Sequence, residues 1–281
     1  MSLINAFKLV KISCNVQFKF IDAMNIKVRY AESGAGADHL LLIHGLGGSS
    51  ESWTNNIDVF GRHFHVLAPD LIGFGHSDKP KIRYSMKTFT SFLTSFLDTI
   101  GIKKTNVIGS SMGGQIAAEF AIAFPKKVEK LVLISPAGIP PKEFKGTEEL
   151  KRYVKMFDAK NLQDVRKALL PVDADRSAIT EEYIKNVYRY TMMEGAKHAF
   201  MSSLKESSAA PRLANRLKLI KAKTLVIWGK EDRLIPVKYC EPFITKMDNC
   251  KLLLIEKCGH RPHAEKPDLF NKVVIDFLQE S

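Results

Sequence analysis

The 281-residue chain is 45% hydrophobic and 26% charged, which excludes a disordered polymer and supplies enough apolar material for a large core. Its formal net charge of +12 comes from Lys and Arg interleaved with Asp and Glu, so the excess reads as solvated surface charge and not as a nucleic-acid footprint. No apolar run approaches the roughly 18 residues of a membrane span, and residues 1–11 lack both an apolar core and a small-residue cleavage site. The expectation is a cytoplasmic protein that meets a small molecule, with no nucleic acid and no stable membrane association. The four cysteines, Cys14, Cys240, Cys250 and Cys258, form no CxxC pair and fit neither a zinc site nor a disulfide framework. They read as reduced thiols, with Cys258 a packing residue.

Short apolar runs alternate with helix-length amphipathic stretches, the pattern of α/β architecture. Strands are expected at 16–21 and 26–31, which alternate enough to form an antiparallel edge hairpin. Further strands are expected at 40–44, 65–68, 106–108, 128–134, 224–228 and 251–255. Several of these are continuous apolar runs, as suits strands covered on both faces. Helices are expected at 87–100, 112–124, 237–247 and 267–279, the last opening on Pro267. Between 136 and 211 the alternation stops and the character is helical, so this stretch reads as an insertion between two strands of one sheet.

The motif Gly109-Ser110-Ser111-Met112-Gly113-Gly114 follows one expected strand and opens the next helix. It is G-x-S-x-G in the strand–turn–helix setting that a strained nucleophile turn requires. The frame selects Ser111, because shifting it to Ser110 would need glycines at Ile108 and Met112. The run His44-Gly45-Leu46-Gly47-Gly48 lies at another strand end and lacks the Lys-Ser/Thr of a phosphate loop. Acyl transfer needs two N–H groups aimed at a developing oxyanion, and the N–H groups of Met112 and Leu46 are the candidates. His44 reads as a strut of that loop. Glu231 or Asp232 could orient a general base, since both follow the strand at 224–228. His260 follows a glycine in the loop after the strand at 251–255 and is the expected base, with His263 the competitor.

From about residue 16 to 277 the sequence resembles the α/β-hydrolase superfamily. The resemblance rests on HGLGG at 44–48, PDLIGFGHSD at 69–78, GSSMGG at 109–114, WGKEDRLIP at 228–236 and CGHRPHAEKP at 258–267. It implies the α/β-hydrolase fold, a mostly parallel eight-stranded sheet flanked by helices. The implied core is 1–135 and 212–281, with a helical cap at 136–211. The superfamily pattern assigns Ser111, Asp232 and His260 to a catalytic triad and Leu46 and Met112 to the oxyanion hole. It places Asp70 and Ser77 in a recurrent turn, read here as structural.

Relatives that are haloalkane dehalogenases or epoxide hydrolases carry an aspartate nucleophile, and Ser111 argues against both. The serine members leave a carboxylesterase or a C–C bond hydrolase of the meta-cleavage product type. GSSMGG and Ile179-Thr180-Glu181-Glu182 resemble the second group. Two positions depart from it: Arg261 stands where that group carries Trp, and Val187 where it carries a cap Arg, although Arg261 or Arg189 could supply a charge from a new place. On those departures the expected activity is hydrolysis of carboxylic esters of short to medium acyl chains through an acyl-enzyme on Ser111. Hydrolysis of a 2-hydroxy-6-oxo-dienoate is the alternative. A non-catalytic binding protein on the same fold is a remote one, because every triad and oxyanion member is present. Tyr188, Met192 and Phe200 are the expected contacts for the acyl chain, and neither metal nor organic cofactor is expected.

Overall fold

The computed structural model describes residues 16–141 and 143–280. Cys14 and the reading of residues 1–11 lie outside them. Eight strands form one sheet: β1 (Gln17–Ala23), β2 (Ile26–Ser33), β3 (His39–Ile43), β4 (His65–Pro69), β5 (Thr105–Ser110), β6 (Val128–Ile134), β7 (Lys223–Gly229) and β8 (Cys250–Ile255). Their spatial order is β1-β2-β4-β3-β5-β6-β7-β8. The β1–β2 and β2–β4 pairs are antiparallel and the rest are parallel. The sheet is therefore mostly parallel, as expected of the α/β-hydrolase fold. Met24 and Asn25 turn β1 into β2 with φ of 57° and 58°, the left-handed pair of a two-residue hairpin whose twist matches its strands.

The central strands carry continuous apolar runs, such as Leu40–Ile43 and Leu131–Ile134, because helices cover both faces. Leu41, Ile43, Val107, Leu131, Leu133, Val226 and Trp228 point to one face. They meet Phe89, Phe92 and Phe96 of the helix Met86–Ile100, and Ile116 and Phe120 of the helix Met112–Ala123. The intervening residues Leu40, Leu42, Ile108, Val132, Ile134, Leu225 and Ile227 point to the other face. There they meet Phe60 of the helix Ile57–Gly61 and Phe270, Val274 and Phe277 of the helix Pro267–Gln279. A period of two along each strand thus sorts one apolar run into two cores.

Between β6 and β7 the described residues contain helices and no strand. The helices are Glu148–Val154, Leu162–Leu169, Glu181–Thr191 and Ala196–Ala209. Three of them start on a side-chain cap: the side-chain oxygens of Thr147, Asn161 and Thr180 accept from the N–H groups of Leu150, Asp164 and Tyr183. Thr180 followed by Glu181 and Glu182 is therefore a helix start, with acids at the positive end of the helix. The two ends of the insertion are stitched together, since Leu213 N–H donates to Gly138 O (2.8 Å) and Arg212 Nε to Ile139 O (2.8 Å). The helix expected at 237–247 splits into a tight turn at Val237–Cys240 and a helix at Glu241–Lys246. Pro242 explains the break, because a residue without an N–H fits only the first turn. No helix among the described residues is long and apolar enough to cross a membrane.

Phe120 of the helix Met112–Ala123 is fully buried in the first of these two cores. Phe120→Ala should lower unfolding free energy by about 3–5 kcal/mol, read from the denaturant midpoint. A loss under about 1 kcal/mol would show that this face of the core collapses onto the cavity.

Candidate active site

Ser111 sits between the end of β5 and the helix Met112–Ala123 with φ 57° and ψ −119°, a conformation that L-residues rarely adopt. Three backbone bonds hold it there. Its N–H donates to Ile134 O (2.8 Å), and its carbonyl accepts from Gln115 N (3.1 Å) and Ala137 N (2.9 Å). The flanking glycines are required by space. A Cβ on Gly109 would lie 2.3 Å from Gly113 O, and one on Gly113 would lie 2.3 Å from His44 O and 2.4 Å from Ile43 O. The helix therefore rests directly on the end of β3, and the strained turn carries Ser111 beside the loop that follows β3.

That loop is braced by His44, which is fully buried. Its Nε2 accepts the N–H of Leu71 (2.9 Å), so its proton is on Nδ1, which donates to Gly45 O (2.8 Å). Burial holds His44 below the usual histidine range, so it is a neutral strut. The Gly45 backbone lies close enough that a Cβ there would be 3.2 Å from Ser111 Cβ. Asp70 fixes the neighbouring turns. Its carboxylate accepts from Ser50 N (2.6 Å) and His76 N (2.8 Å), and its carbonyl from Ser77 Oγ (2.7 Å). Asp70 and Ser77 are thus structural.

Asp232 and His260 converge from two other strand ends. Asp232 is buried after β7, and its Oδ1 accepts the N–H groups of Leu234 and Ile235 (both 2.9 Å). Its Oδ2 bonds Nδ1 of His260 at 2.8 Å. Glu231 is exposed. With Nδ1 committed to Asp232, Nε2 is the atom of His260 that can take a proton. His263 is buried against the ring of Trp53, 4.6 Å between centroids, and does not line the cavity described next. Glu265 organises the loop, its carboxylate accepting from the N–H groups of Gly259 and Arg261 on either side of His260.

Ser111, His260, Leu46 and Met112 line one cavity of about 590 Å³. Its walls include Phe144, Leu150, Val154 and Leu204 of the insertion, with Leu234 and Ile235 of the core. Lys145, Lys151, Lys155 and Arg212 also line it, Lys151 with its ammonium on Glu148 (2.6 Å), and among the described residues no acidic residue lines it. The three expected binding residues lie elsewhere, and the expectation is corrected. Tyr188 sends its hydroxyl to Lys160 O (3.2 Å), and Met192 is 63% exposed. Phe200 is buried against Phe157, with ring centroids 4.2 Å apart. Arg189 bonds Asn186 and Arg261 bonds Asp173, so neither faces the cavity. The lining helix Glu148–Val154 went unrecognised, although Thr147-Glu148-Glu149 before an apolar residue is a helix-start signal.

The fold and this site place the chain in the α/β-hydrolase fold family, to which it belongs; the family signature matches residues 38–267. Within that family it is similar to the 2-hydroxy-6-oxononadienedioate/2-hydroxy-6-oxononatrienedioate hydrolase of Burkholderia vietnamiensis. The two are 32% identical over 269 residues, covering 92% of this chain and 93% of that one. The 2-hydroxy-6-oxo-6-phenylhexa-2,4-dienoate hydrolase of Burkholderia cepacia is 30% identical over 265 residues, covering 90% and 92%. The meta-cleavage product hydrolase of Pseudomonas fluorescens IP01 superposes with a TM-score of 0.82 at 27% identity, covering 92% and 97%. These relatives overturn the expectation of a carboxylesterase. The argument for an ester rested on the residues at 187 and 261. Basic residues do border the cavity, but at positions 145, 151, 155 and 212, with the Lys151 ammonium paired to Glu148.

Gly113→Ala should abolish activity and lower the thermal midpoint, because the added methyl must displace the end of β3. A fully active variant would mean the helix and the loop are not in contact. His44 and His263 are both held low by burial, His263 also by Arg261 and His260. In the unfolded chain both take up protons as pH falls through about 6.5, while the folded protein leaves them neutral. The unfolded state then binds more protons. Their contribution is complete above about pH 6.5 and is lost progressively below it. The denaturant midpoint should decline from pH 7 to pH 5, less steeply in His263→Gln; equal slopes would exclude His263 as a source.

Proposed function

We propose that the chain is a C–C bond hydrolase of the meta-cleavage product type, acting on a 2-hydroxy-6-oxo-dienoate. The observation that carries this reading is near full-length relatedness, at about 30% identity, to hydrolases of such dienoates. The cavity supports it. These substrates are anionic, and among the described residues the lining beside Ser111 and His260 includes Lys145, Lys155 and Arg212, with Lys151 paired to Glu148, and no acidic residue. In this reading residues 136–211 are the cap over the cavity, and Ser111, Asp232 and His260 are the catalytic triad.

The chemistry assigns each residue a task. The dienol first passes its hydroxyl proton to C5, which makes C2 a ketone and hence an electron sink. Ser111 Oγ attacks the C6 carbonyl as His260 Nε2 takes its proton. The N–H groups of Leu46 and Met112 hold the oxyanion. When C5–C6 breaks, its electron pair runs through C3 and C4 to the C2 oxygen, which is protonated to give a five-carbon dienol. The remaining acyl group on Ser111 is released as a carboxylic acid by water, with His260 again the base. Asp232 keeps His260 in the tautomer that serves both steps.

Ser111→Ala should remove turnover of a 2-hydroxy-6-oxo-dienoate by at least about ten-thousandfold, followed by loss of the dienoate's absorbance, while the thermal midpoint stays near native. Native protein that leaves both the nonadienedioate and the phenylhexadienoate intact would sink the reading.

A further inference from the structure

We infer that Asp173 and Arg261 form a clamp through which the helical insertion sets the place of His260. Both are positioning residues, since neither lines the cavity. The inference rests on the reading of Ser111 and His260 as nucleophile and base. Four consecutive residues of the insertion grip the loop that bears His260. Val172 O accepts the backbone N–H of His260 (3.2 Å). The Asp173 carboxylate takes Arg261 Nε on both oxygens (2.9 and 3.1 Å) and also binds Nη2. The N–H groups of Ala174 and Asp175 donate to Glu265 (2.9 and 3.0 Å), the same carboxylate that accepts from Gly259 and Arg261. The approach is so close that a Cβ on Gly259 would lie 2.6 Å from Ala174 N.

The ion pair is out of water. The Asp173 side chain has no exposure and that of Arg261 has 12%, so the pair is little screened. Tyr183 closes the other side, with the guanidinium 4.4 Å from its ring centroid. Arg261 cannot swing out without leaving a buried carboxylate alone. Asp232 fixes the His260 ring at Nδ1, but one hydrogen bond leaves the ring free to pivot with its backbone. The clamp removes that freedom. It holds the residues before and after His260 to the insertion, in addition to the loop's bond to the end of β7, where Glu231 N–H donates to Cys258 O (2.9 Å). The general base is therefore placed by a part of the chain that does not carry it.

A fluorophosphonate tests this without assuming the natural substrate. Its reaction joins Ser111 Oγ to phosphorus, expels fluoride and passes the hydroxyl proton to His260, so its rate reports the Ser–His couple. Variants are compared well below their thermal midpoints. Asp173→Asn should label more slowly by about tenfold or more, the scale expected of a small misplacement of a reacting group. Asp173→Leu combined with Arg261→Met removes both charges and leaves no buried ion unpaired, so its midpoint should return toward native. Its labelling should stay slow. Labelling that recovers together with the midpoint would reduce the pair to a stability element and overturn the clamp, as would native labelling in Asp173→Asn. Where the double variant does not fold, Arg261→Lys against Arg261→Met decides: faster labelling by the lysine variant supports the clamp, and equal rates overturn it. Native protein that does not label would overturn the Ser111–His260 reading and the clamp with it. Labelling without dienoate turnover would sink the proposed substrate alone.

Discussion

The contact on which the site depends is between two backbones. The helix after Ser111 lies against the end of β3 with only hydrogen at Gly113 between them. No side chain could be inserted there, so the distance between the Ser111 turn and the Leu46 loop is set by atoms that cannot vary. The same contact explains how Ser111 tolerates a positive φ. The turn is held from β6 through Ile134 O and from the start of the insertion through Ala137 N. Strain at one residue is stored because three separate segments agree on its position.

Much of this was legible. Buried parallel strands read as unbroken apolar runs, and the elbow read from its glycines because only glycine satisfies the contacts at 109 and 113. The two histidines of this loop also differ in place, since His260 lines the cavity and His263 sits against Trp53 outside it. The choice between Glu231 and Asp232 was different. Two adjacent acids in one loop look equivalent in a sequence, and only the family resemblance favoured the second. In the fold the difference is plain: one is exposed, and the other is buried with two backbone N–H groups on its far oxygen.

The insertion was where sequence reasoning ran out. Phe200 and Leu204 are one turn apart on the same face of one helix, yet Phe200 packs on Phe157 and Leu204 lines the cavity. Helical spacing gives the face but not what lies above it. The ester expectation failed for a related reason. It looked for charge at a substrate only at positions 187, 189 and 261. A cavity wall can receive cations from any element that borders it, and here Lys151 and Lys155 come from a helix that the apolar pattern had not marked.

The stitched ends of the insertion, where 212 and 213 bond to 138 and 139, bear on how such a chain diversifies. A segment that leaves and rejoins the sheet at nearly one point can be exchanged as a block without disturbing the strands. Recombination could thus hand the sheet a new cavity wall, and a new substrate, in a single event. Such a block is not wholly portable, however. A transplanted wall that lacked a carboxylate for Arg261 would bury an unpaired guanidinium next to His260. The grafts that survive would be those whose donor already carries an acid at that place, or whose recipient loses the arginine first.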